Sequence, residues 1–216
     1  MPDTHRLGSL RLDVLAVSEM DNNVYLLTAG NGEQLLVDAA DDAPAIERLL
    51  VAAGGGPLRT VVTTHQHRDH HRALADVVAA HRPTVAAGEP DADALPVPVD
   101  HRLTHGEVLP VDDAGTVELE VIALRGHTPG SVALALTEPD DAEHPGRVHL
   151  FSGDSLFPGG VGRTTSKPDF TSLIDDVEER VFARFGDDTV VHPGHGAPTT
   201  LGAERPHLAQ WRERGW

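Results

Sequence analysis

The fold of this chain is decided at residues 64–71, which read THQHRDHH. Val61 and Val62 before this stretch favour a buried strand. Apolar residues recur at helical spacing after it, which predicts a helix over 70–81. The stretch should therefore form the turn between a strand and a helix. Its histidines and aspartate follow an H-x-H-x-D-H pattern, a cluster of residue types that binds metal ions.

The geometry of such a turn divides its polar side chains into two groups. Residues two apart at the end of a strand point the same way, so His65 and His67 can share one metal ion. Asp69 suits the N-cap of the following helix, and together with His70 it is displaced along the turn. We therefore expect Asp69 and His70 to serve a second ion close to the first.

Length, charge and composition limit the function classes. The 216 residues suit one domain, and 39% hydrophobic with 24% charged residues is ordinary for a globular protein. The net charge of −17 argues against nucleic-acid and anionic-membrane partners. The start of the chain has no apolar signal segment and no apolar run is long enough for a membrane span, so we expect a cytoplasmic protein. Because the chain has no cysteine, metal ligands must be histidines and carboxylates.

Strands and helices are predicted along the whole chain. The predicted strands are 10–18, 23–29, 34–39, 58–64, a short one within 83–99, 107–110, 116–124, 131–137, 147–152 and 189–191. The predicted helices are 43–53, 70–81, 170–185 and one that starts at about residue 203. Strands in both halves, roughly 1–115 and 116–216, alternate with helices. This order suggests sheets covered by helices within a single domain, 1–216.

Three further strand ends carry one candidate ligand each beside small residues. His127 follows a predicted strand in the sequence RGHTPG, Asp154 follows one in SGDS, and His195 follows one in HPGHG. Small residues let the backbone approach a crowded site. Because all three follow the H-x-H-x-D-H turn in one chain, we interpret them as further ligands of the same metal site.

Together these motifs resemble the metallo-β-lactamase superfamily over essentially the whole chain. The resemblance implies an α/β fold, the αββα four-layer sandwich, with two facing sheets, helices outside and metals at one edge. It also implies two ligand sets. The first ion would be bound by His65, His67 and His127, the second by Asp69, His70 and His195, and Asp154 would bridge both. Asp38 stands where the superfamily often has an aspartate that supports the metal loops, the alternative being a plain strand-end cap.

The ligand types and the motif details narrow the choice within the superfamily. Imidazoles and carboxylates without thiolates suit a dinuclear hydrolytic site with two divalent ions, zinc as first choice and iron or manganese as alternatives. The absence of cysteine together with an aspartate at 154 argues against true zinc β-lactamases. The H-x-H form argues against flavodiiron proteins, which have H-x-E. Length and acidity argue against RNA-processing nucleases.

Residues after Asp154 favour one group. The sequence GDSLF at 153–157, followed by GGVGR at 159–163, is similar to the glyoxalase II group, which hydrolyses hydroxyacyl thioesters. That group places a basic residue nine positions after the bridging aspartate to hold the thiol carrier, and Arg163 has this spacing from Asp154. The alternative for Arg163 is a solvated loop residue. Two features differ from that group. Full-length members have a C-terminal helical domain that binds glutathione, whereas one terminal helix is predicted here, and Thr165 stands where the group has an aromatic residue. The identity of the thiol carrier is therefore left open.

We therefore expect a hydroxyacylglutathione hydrolase-like enzyme that cleaves a small-molecule thioester. A hydroxide bridging the two ions would attack the carbonyl, because coordination lowers the pKa of water from about 15.7 to roughly 7. Asp69 would orient this hydroxide or relay a proton. Two alternatives stay open, namely a mononuclear iron dioxygenase acting on persulfides and a lactonase. The sequence leaves the oligomeric state open.

Overall fold

Two β-sheets form the centre of the computed structural model, which describes residues 2–215. The first sheet has seven strands whose spatial order is their order in the sequence. These strands are β1 (Asp3–Leu7), β2 (Leu10–Val17), β3 (Asn22–Thr28), β4 (Gln34–Val37), β5 (Leu58–Thr63), β6 (Thr84–Gly88) and β7 (His101–Leu103). Strands β1 to β4 pair antiparallel and β4 to β7 pair parallel.

The second sheet has six strands, and a short hairpin lies beside it. Its strands are β8 (Val108–Pro110), β9 (Glu118–Ala123), β10 (Val132–Thr137), β11 (Val148–Gly153), β14 (Val190–Pro193) and β15 (Thr199–Thr200), and the hairpin is β12 (Leu156–Phe157) with β13 (Gly160–Val161). The spatial order is β15-β14-β11-β10-β9-β8, with β11 and β14 parallel. The chain passes from the first sheet to the second at residues 104–107.

Helices cover the outer face of each sheet. They are α1 (Ala43–Ala52), α2 (Leu74–His81), α3 (Lys167–Val177), which continues as a π-helix over Glu178–Phe182, α4 (Leu201–Glu204) and α5 (Leu208–Arg214). Helices α1 and α2 pack on the first sheet, and α3 and α5 pack on the second. No helix within residues 2–215 combines the length and the apolar character needed to cross a membrane. The cytoplasmic location stays a prediction.

Central strands that are apolar on both faces explain the layers. In β3, Val24 and Leu26 pack beneath the helices while Leu27 faces the second sheet. In β10, Leu134 faces the first sheet and Ala133 faces α3. Successive side chains of a strand point to opposite faces, so such strands need a covering layer on each side. The predicted αββα four-layer sandwich is confirmed.

Two kinds of local prediction were wrong. The helix predicted over 70–81 begins at Leu74, because Arg68–His70 forms a 3₁₀ turn instead. Asp69 therefore does not cap α2, and the cap position, Ala73, makes no side-chain hydrogen bond. The strands β1, β7 and β15 and the hairpin of β12 and β13 were missed. β1, β7 and β15 are short edge strands, and the largely exposed β1 has no apolar alternation to indicate it. β12 and β13 have two residues each, which is too short for a pattern.

Candidate metal centre

All seven predicted ligands lie in four loops at one edge of the sandwich. The loops follow the carboxyl ends of β5, β9, β11 and β14. Asp154 comes directly after β11, and His65 lies two residues after the end of β5. His127 and His195 lie in the loops after β9 and β14. Three groups of these side chains have their ligand atoms within 4.8 Å of one another. The structure therefore brings together residues that are far apart in the sequence.

The first group consists of His65, His67 and His127. His67 Nδ1 lies 3.1 Å from His65 Nε2 and 2.9 Å from His127 Nε2. Nitrogens that share one ion at about 2.0–2.1 Å lie roughly 3 Å apart, so this spacing suits a metal ion. Burial lowers the pKa of both His65 and His127, which keeps their imidazoles neutral. Neutral imidazole is the form that binds metal.

The second group consists of Asp69, His70 and His195. His195 Nε2 lies 3.2 Å from His70 Nε2 and 3.2 Å from Asp69 Oδ2. Burial by itself would lower the pKa of His70. The carboxylates of Asp38 and Asp154 have the larger effect and raise this pKa to about 10. The carboxylates at this position thus attract a cation, and a metal ion can take the place of that proton.

Asp154 lies between the two groups. Its Oδ2 is 3.6 Å from His127 Nε2 and 3.5 Å from His195 Nε2. Burial opposes ionisation, but the imidazoles of His195 and His70 hold the pKa of Asp154 far below its usual value. Its buried Oδ1 lies 3.4 Å from His70 Nε2 but accepts no hydrogen bond of good geometry from residues 2–215. A metal ion would satisfy this atom, so the residues present fit two divalent ions, as the histidine and aspartate clusters imply.

Backbone carbonyls orient two of the histidines. His127 Nδ1 donates to the carbonyl oxygen of Arg163 at 2.7 Å, and His195 Nδ1 donates to that of Met20 at 2.9 Å. With Nδ1 protonated, each ring presents the lone pair of Nε2 to the centre. Both tautomers are therefore the ones that a metal ion needs.

Asp38 holds the loop that follows β5 through three hydrogen bonds. Its Oδ1 accepts a hydrogen bond from the Thr64 backbone N–H at 2.7 Å, and its Oδ2 accepts from Thr64 Oγ1 at 2.8 Å and from His70 Nδ1 at 2.9 Å. The side chain is buried, and its backbone is left-handed with a φ of 57°. These contacts favour the predicted supporting role over that of a strand-end cap.

Two residues that the sequence did not indicate complete the site. Asn22 Nδ2 donates to Asp69 Oδ2 at 3.0 Å. Asp91 Oδ2 accepts from the Gln66 backbone N–H at 2.9 Å and from Thr128 Oγ1 at 2.5 Å, and so joins the loops of the first group. Both side chains are fully buried. Asn22 begins a strand and Asp91 lies in a Pro- and Asp-rich segment, and neither pattern signals a buried contact.

Two glycines allow the loops to approach each other. A Cβ at Gly194 would collide with Asp154 Oδ1 and with His70 Cε1. A Cβ at Gly162 would collide with the carbonyl oxygen of Asp154. The small residues beside the ligands are thus required by the crowding of the site.

Arg163 lies beside the first group, because its carbonyl oxygen contacts His127. The residue is exposed. No carboxylate within residues 2–215 pairs with its guanidinium, whereas many other arginines of the chain form ion pairs. The side chain is therefore available for an anionic ligand.

Replacing Asp176 by asparagine should destabilise the His127 loop. Asp176 is buried and accepts hydrogen bonds from the N–H, Nε and Nη2 of Arg125 at 3.0, 2.8 and 2.7 Å. Burial opposes the charge, but Arg125 outweighs it and lowers the pKa of Asp176. We expect the free energy of unfolding in urea to fall by about 1.5–3 kcal/mol at neutral pH.

The pH dependence provides the check on this loss. The pKa of Asp176 is lower in the folded protein than in the unfolded chain, where it is about 3.9. The ionised carboxylate therefore stabilises the fold above about pH 3.9, and this stabilisation is lost as the pH falls through the pKa of the folded state. The difference between wild type and Asp176→Asn should therefore shrink below about pH 4. Asp140→Asn, in an exposed loop, is the control. An equal difference at pH 7 and at low pH would contradict the assignment.

Comparisons with known proteins agree with this geometry. Residues 17–195 match the family model described as the metallo-beta-lactamase superfamily. A hydroxyacylglutathione hydrolase from Fuscovulum blasticum is 37% identical over 144 residues, which cover 66% of this chain and 51% of that protein. The first such relatives are all longer, and this chain spans 51–62% of their lengths.

Solved structures resemble the chain along nearly all of its length. The protein TTHA1623, solved in a di-iron-bound form, is 30% identical with a TM-score of 0.69, over 89% of this chain and 96% of that one. The B3 metallo-beta-lactamase BLEG-1 is 26% identical with a TM-score of 0.78, over 93% and 99%. The resemblance predicted from the motifs is confirmed.

Proposed function

This chain belongs to the metallo-beta-lactamase superfamily, and from that premise we propose that it is a dinuclear metal-dependent hydrolase that cleaves a hydroxyacyl thioester of a small thiol. The observation that carries the proposal is the position of Asp154 between two groups of ligands. The relatives named hydroxyacylglutathione hydrolase support a thioester as the substrate. Because the chain spans only part of their length, the carrier thiol is left general.

The proposed ligands follow the two groups. The first ion is assigned to His65, His67 and His127, the second to Asp69, His70 and His195, and Asp154 is assigned to both. When bound, two such ions polarise a substrate carbonyl and lower the pKa of water to roughly 7. Zinc is the first choice, and the di-iron form of TTHA1623 supports iron as the alternative.

Protein groups around the ions would orient the reactants. Burial opposes ionisation of Asp69, but the hydrogen bond from Asn22 and the charge of His70 outweigh it and lower the pKa of Asp69. Its carboxylate is thus ionised and available to orient the attacking water. The lowered pKa makes it a weak base, so orientation is the favoured one of its two predicted roles. The departing thiolate needs no acid, because the pKa of a thiol is about 8.5.

Metal analysis combined with a substrate panel tests the proposed function. The panel holds hydroxyacyl thioesters of glutathione and of other small thiols, lactones, and a persulfide assayed by oxygen uptake. The proposal expects two ions per chain and fastest turnover of a thioester. One iron per chain with oxygen uptake would instead identify a persulfide dioxygenase, and fastest turnover of a lactone would identify a lactonase.

Arg163→Ala should raise KM for an anionic thioester by roughly tenfold, which corresponds to a loss of about 1.4 kcal/mol. A chain with a net charge of −17 repels anions, so a carboxylate-bearing thiol needs a local cation. The unpaired guanidinium can form a bidentate pair with such a carboxylate. The kcat should change little, because the contact is made away from the reacting carbonyl.

A neutral thioester separates this role from a general effect of the mutation. Its hydrolysis should be almost unchanged in Arg163→Ala. Arg48→Ala is the matched control, because Arg48 is an exposed arginine on α1, far along the chain from the metal loops. Equal effects on neutral and anionic substrates would remove Arg163 from the binding site.

A further inference from the structure

The hairpin of β12 and β13 leads to both metal groups. It begins two residues after Asp154, and the Phe157 ring on β12 lies 6.5 Å from the His195 ring, measured between centroids. Arg163 lies two residues after the end of β13, and its carbonyl oxygen accepts a hydrogen bond from His127 Nδ1 at 2.7 Å. The position of the hairpin therefore affects one residue beside each group.

The base and the tip of the hairpin are held differently. Leu156 and Val161 at the base are buried in the core of the second sheet. The tip consists of Pro158 and Gly159, which are exposed, and Gly159 has a φ of 83° as in a type II turn. Because a short two-stranded hairpin has little stability of its own, contacts with other elements must fix the tip.

Glu204 at the end of α4 holds this tip. Its Oε2 accepts a hydrogen bond from the Gly159 N–H at 2.9 Å, and its Oε1 accepts from Thr199 Oγ1 at 2.7 Å. Thr199 lies on β15, which pairs with β14, the strand before the His195 loop. Glu204 therefore ties the tip of the hairpin to the strands that lead to the second metal group.

The surroundings of Glu204 indicate a specific role for its carboxylate. The residue is only 6% exposed, and no basic side chain within residues 2–215 forms an ion pair with it. Burying a carboxylate without a cationic partner is costly, whereas a smaller neutral residue would occupy the same place without this cost. The two hydrogen bonds that Glu204 accepts are thus the contribution that its carboxylate makes here.

Helix α5 contacts the other side of the same turn. Arg214 Nη2 lies 3.4 Å from the carbonyl oxygen of Gly159, and a Cβ at Gly160 would collide with the same nitrogen. The C-terminal helices therefore contact both the N–H and the carbonyl group of Gly159, with the shorter hydrogen bond made by Glu204.

We propose that Glu204 is a positioning residue, which fixes the tip of the hairpin and thereby sets where the Arg163 guanidinium stands beside the metal centre. This inference rests on the proposed function, in which Arg163 binds a carboxylate of the thiol carrier. A bidentate pair needs a well-defined guanidinium position. On its other side the Arg163 segment runs into α3, which is capped by Ser166 through the Asp169 N–H. Glu204 secures the side that this cap does not reach.

Two routes lead from Glu204 to a substrate, and they can be separated. A displaced hairpin could act through the Arg163 carbonyl oxygen, which orients His127. That effect would reach neutral and anionic substrates alike, and it would persist when the Arg163 side chain is removed, because the backbone carbonyl remains. An effect through the guanidinium concerns anionic substrates and disappears with that side chain.

A double-mutant cycle in the metal-loaded protein tests the proposal. Glu204→Ala should raise KM for an anionic thioester by about three- to tenfold, with kcat and the hydrolysis of a neutral thioester within about twofold of wild type. In the Arg163→Ala background the same substitution should change KM by less than about twofold. Effects of the two substitutions that simply multiply would overturn the proposal.

A conservative variant and a control accompany the cycle. Glu204→Gln keeps an acceptor oxygen for the Gly159 N–H and gains an amide that can donate to Thr199 Oγ1, so KM should return to within about twofold of wild type. Glu213→Ala, at an exposed glutamate of α5, should leave KM unchanged. A Glu204→Gln protein as impaired as Glu204→Ala would contradict a role based on accepted hydrogen bonds.

Amide hydrogen exchange gives a readout that needs no substrate. Glu204→Ala should speed exchange at residues 156–163 by about tenfold, as expected for the loss of one hydrogen bond, and leave β9 to β11 unchanged. Unchanged exchange at the hairpin would overturn the proposal. If wild type hydrolyses no thioester, the proposed function is wrong and the substrate role of Glu204 is wrong with it, whereas the exchange result still decides whether Glu204 holds the hairpin.

Discussion

Asp154→Asn is expected to lower the occupancy of both metal positions and to reduce kcat/KM for a thioester by about a thousandfold or more, equivalent to about 4 kcal/mol. Asp154 is the one proposed ligand whose carboxylate faces both groups, and its buried Oδ1 accepts no hydrogen bond of good geometry within the described residues. Asparagine keeps the shape but loses the charge and one ligand oxygen. Elemental analysis and thioester kinetics on the same preparations measure the effect.

Variants of ligands that belong to only one of the two groups should behave differently from Asp154→Asn. His70→Ala should lose the second ion and retain much of the first, and His65→Ala should do the reverse. Asp140→Asn, on an exposed loop, should keep both ions. If Asp154→Asn binds two ions with unchanged affinity, the bridging assignment is wrong.

Asp38→Asn should weaken binding of the second ion by about 10–100-fold, the usual effect of removing a partner of a metal ligand. Asp38 accepts hydrogen bonds from the Thr64 N–H, Thr64 Oγ1 and His70 Nδ1. An amide has one acceptor oxygen where the carboxylate has two, so at least one of these donors loses its partner. Competition with a chelator would measure the change in metal affinity.

Asp42→Asn is the matched control for this substitution. Asp42 has a similar left-handed backbone, with a φ of 50°, but its side chain caps α1 through Ala45. Its substitution should leave the metal affinity unchanged. An Asp38→Asn protein that competes with the chelator as well as wild type would show that Asp38 is only a strand-end residue.

Most of the correct predictions of the fold rest on patterns of neighbouring residues. The ligand loops could be found because each joins a strand end to small residues and one histidine or aspartate, as in HPGHG around His195. The layers could be predicted because strands such as β10 are apolar on both faces. The role of the seven side chains as ligands stays a prediction, as does the organisation as one domain.

The remaining features depend on contacts between distant segments. Asn22 meets Asp69 only once the strands of the first sheet have paired, and it meets His195 only after the two sheets have packed together, so no nearby residue signals either contact. The role of Asp91 could not be predicted for a similar reason, because its partner Thr128 lies in a loop of the second sheet. The start of α2 was misplaced because the turn at Arg68–His70 is shaped by contacts of Asp69 and His70 with other loops, which local helical propensity does not include.

The division of the ligands between the two sheets has a consequence for folding. Each proposed ion position combines side chains that follow β5 with at least one that follows β9 or β14. In a chain without cysteine, bound ions would cross-link the two sheets as a disulfide does elsewhere. Because the unfolded chain cannot gather these ligands, metal affinity and the free energy of folding are thermodynamically linked. The ions would thus fasten the two halves of the sandwich as well as serve the reaction.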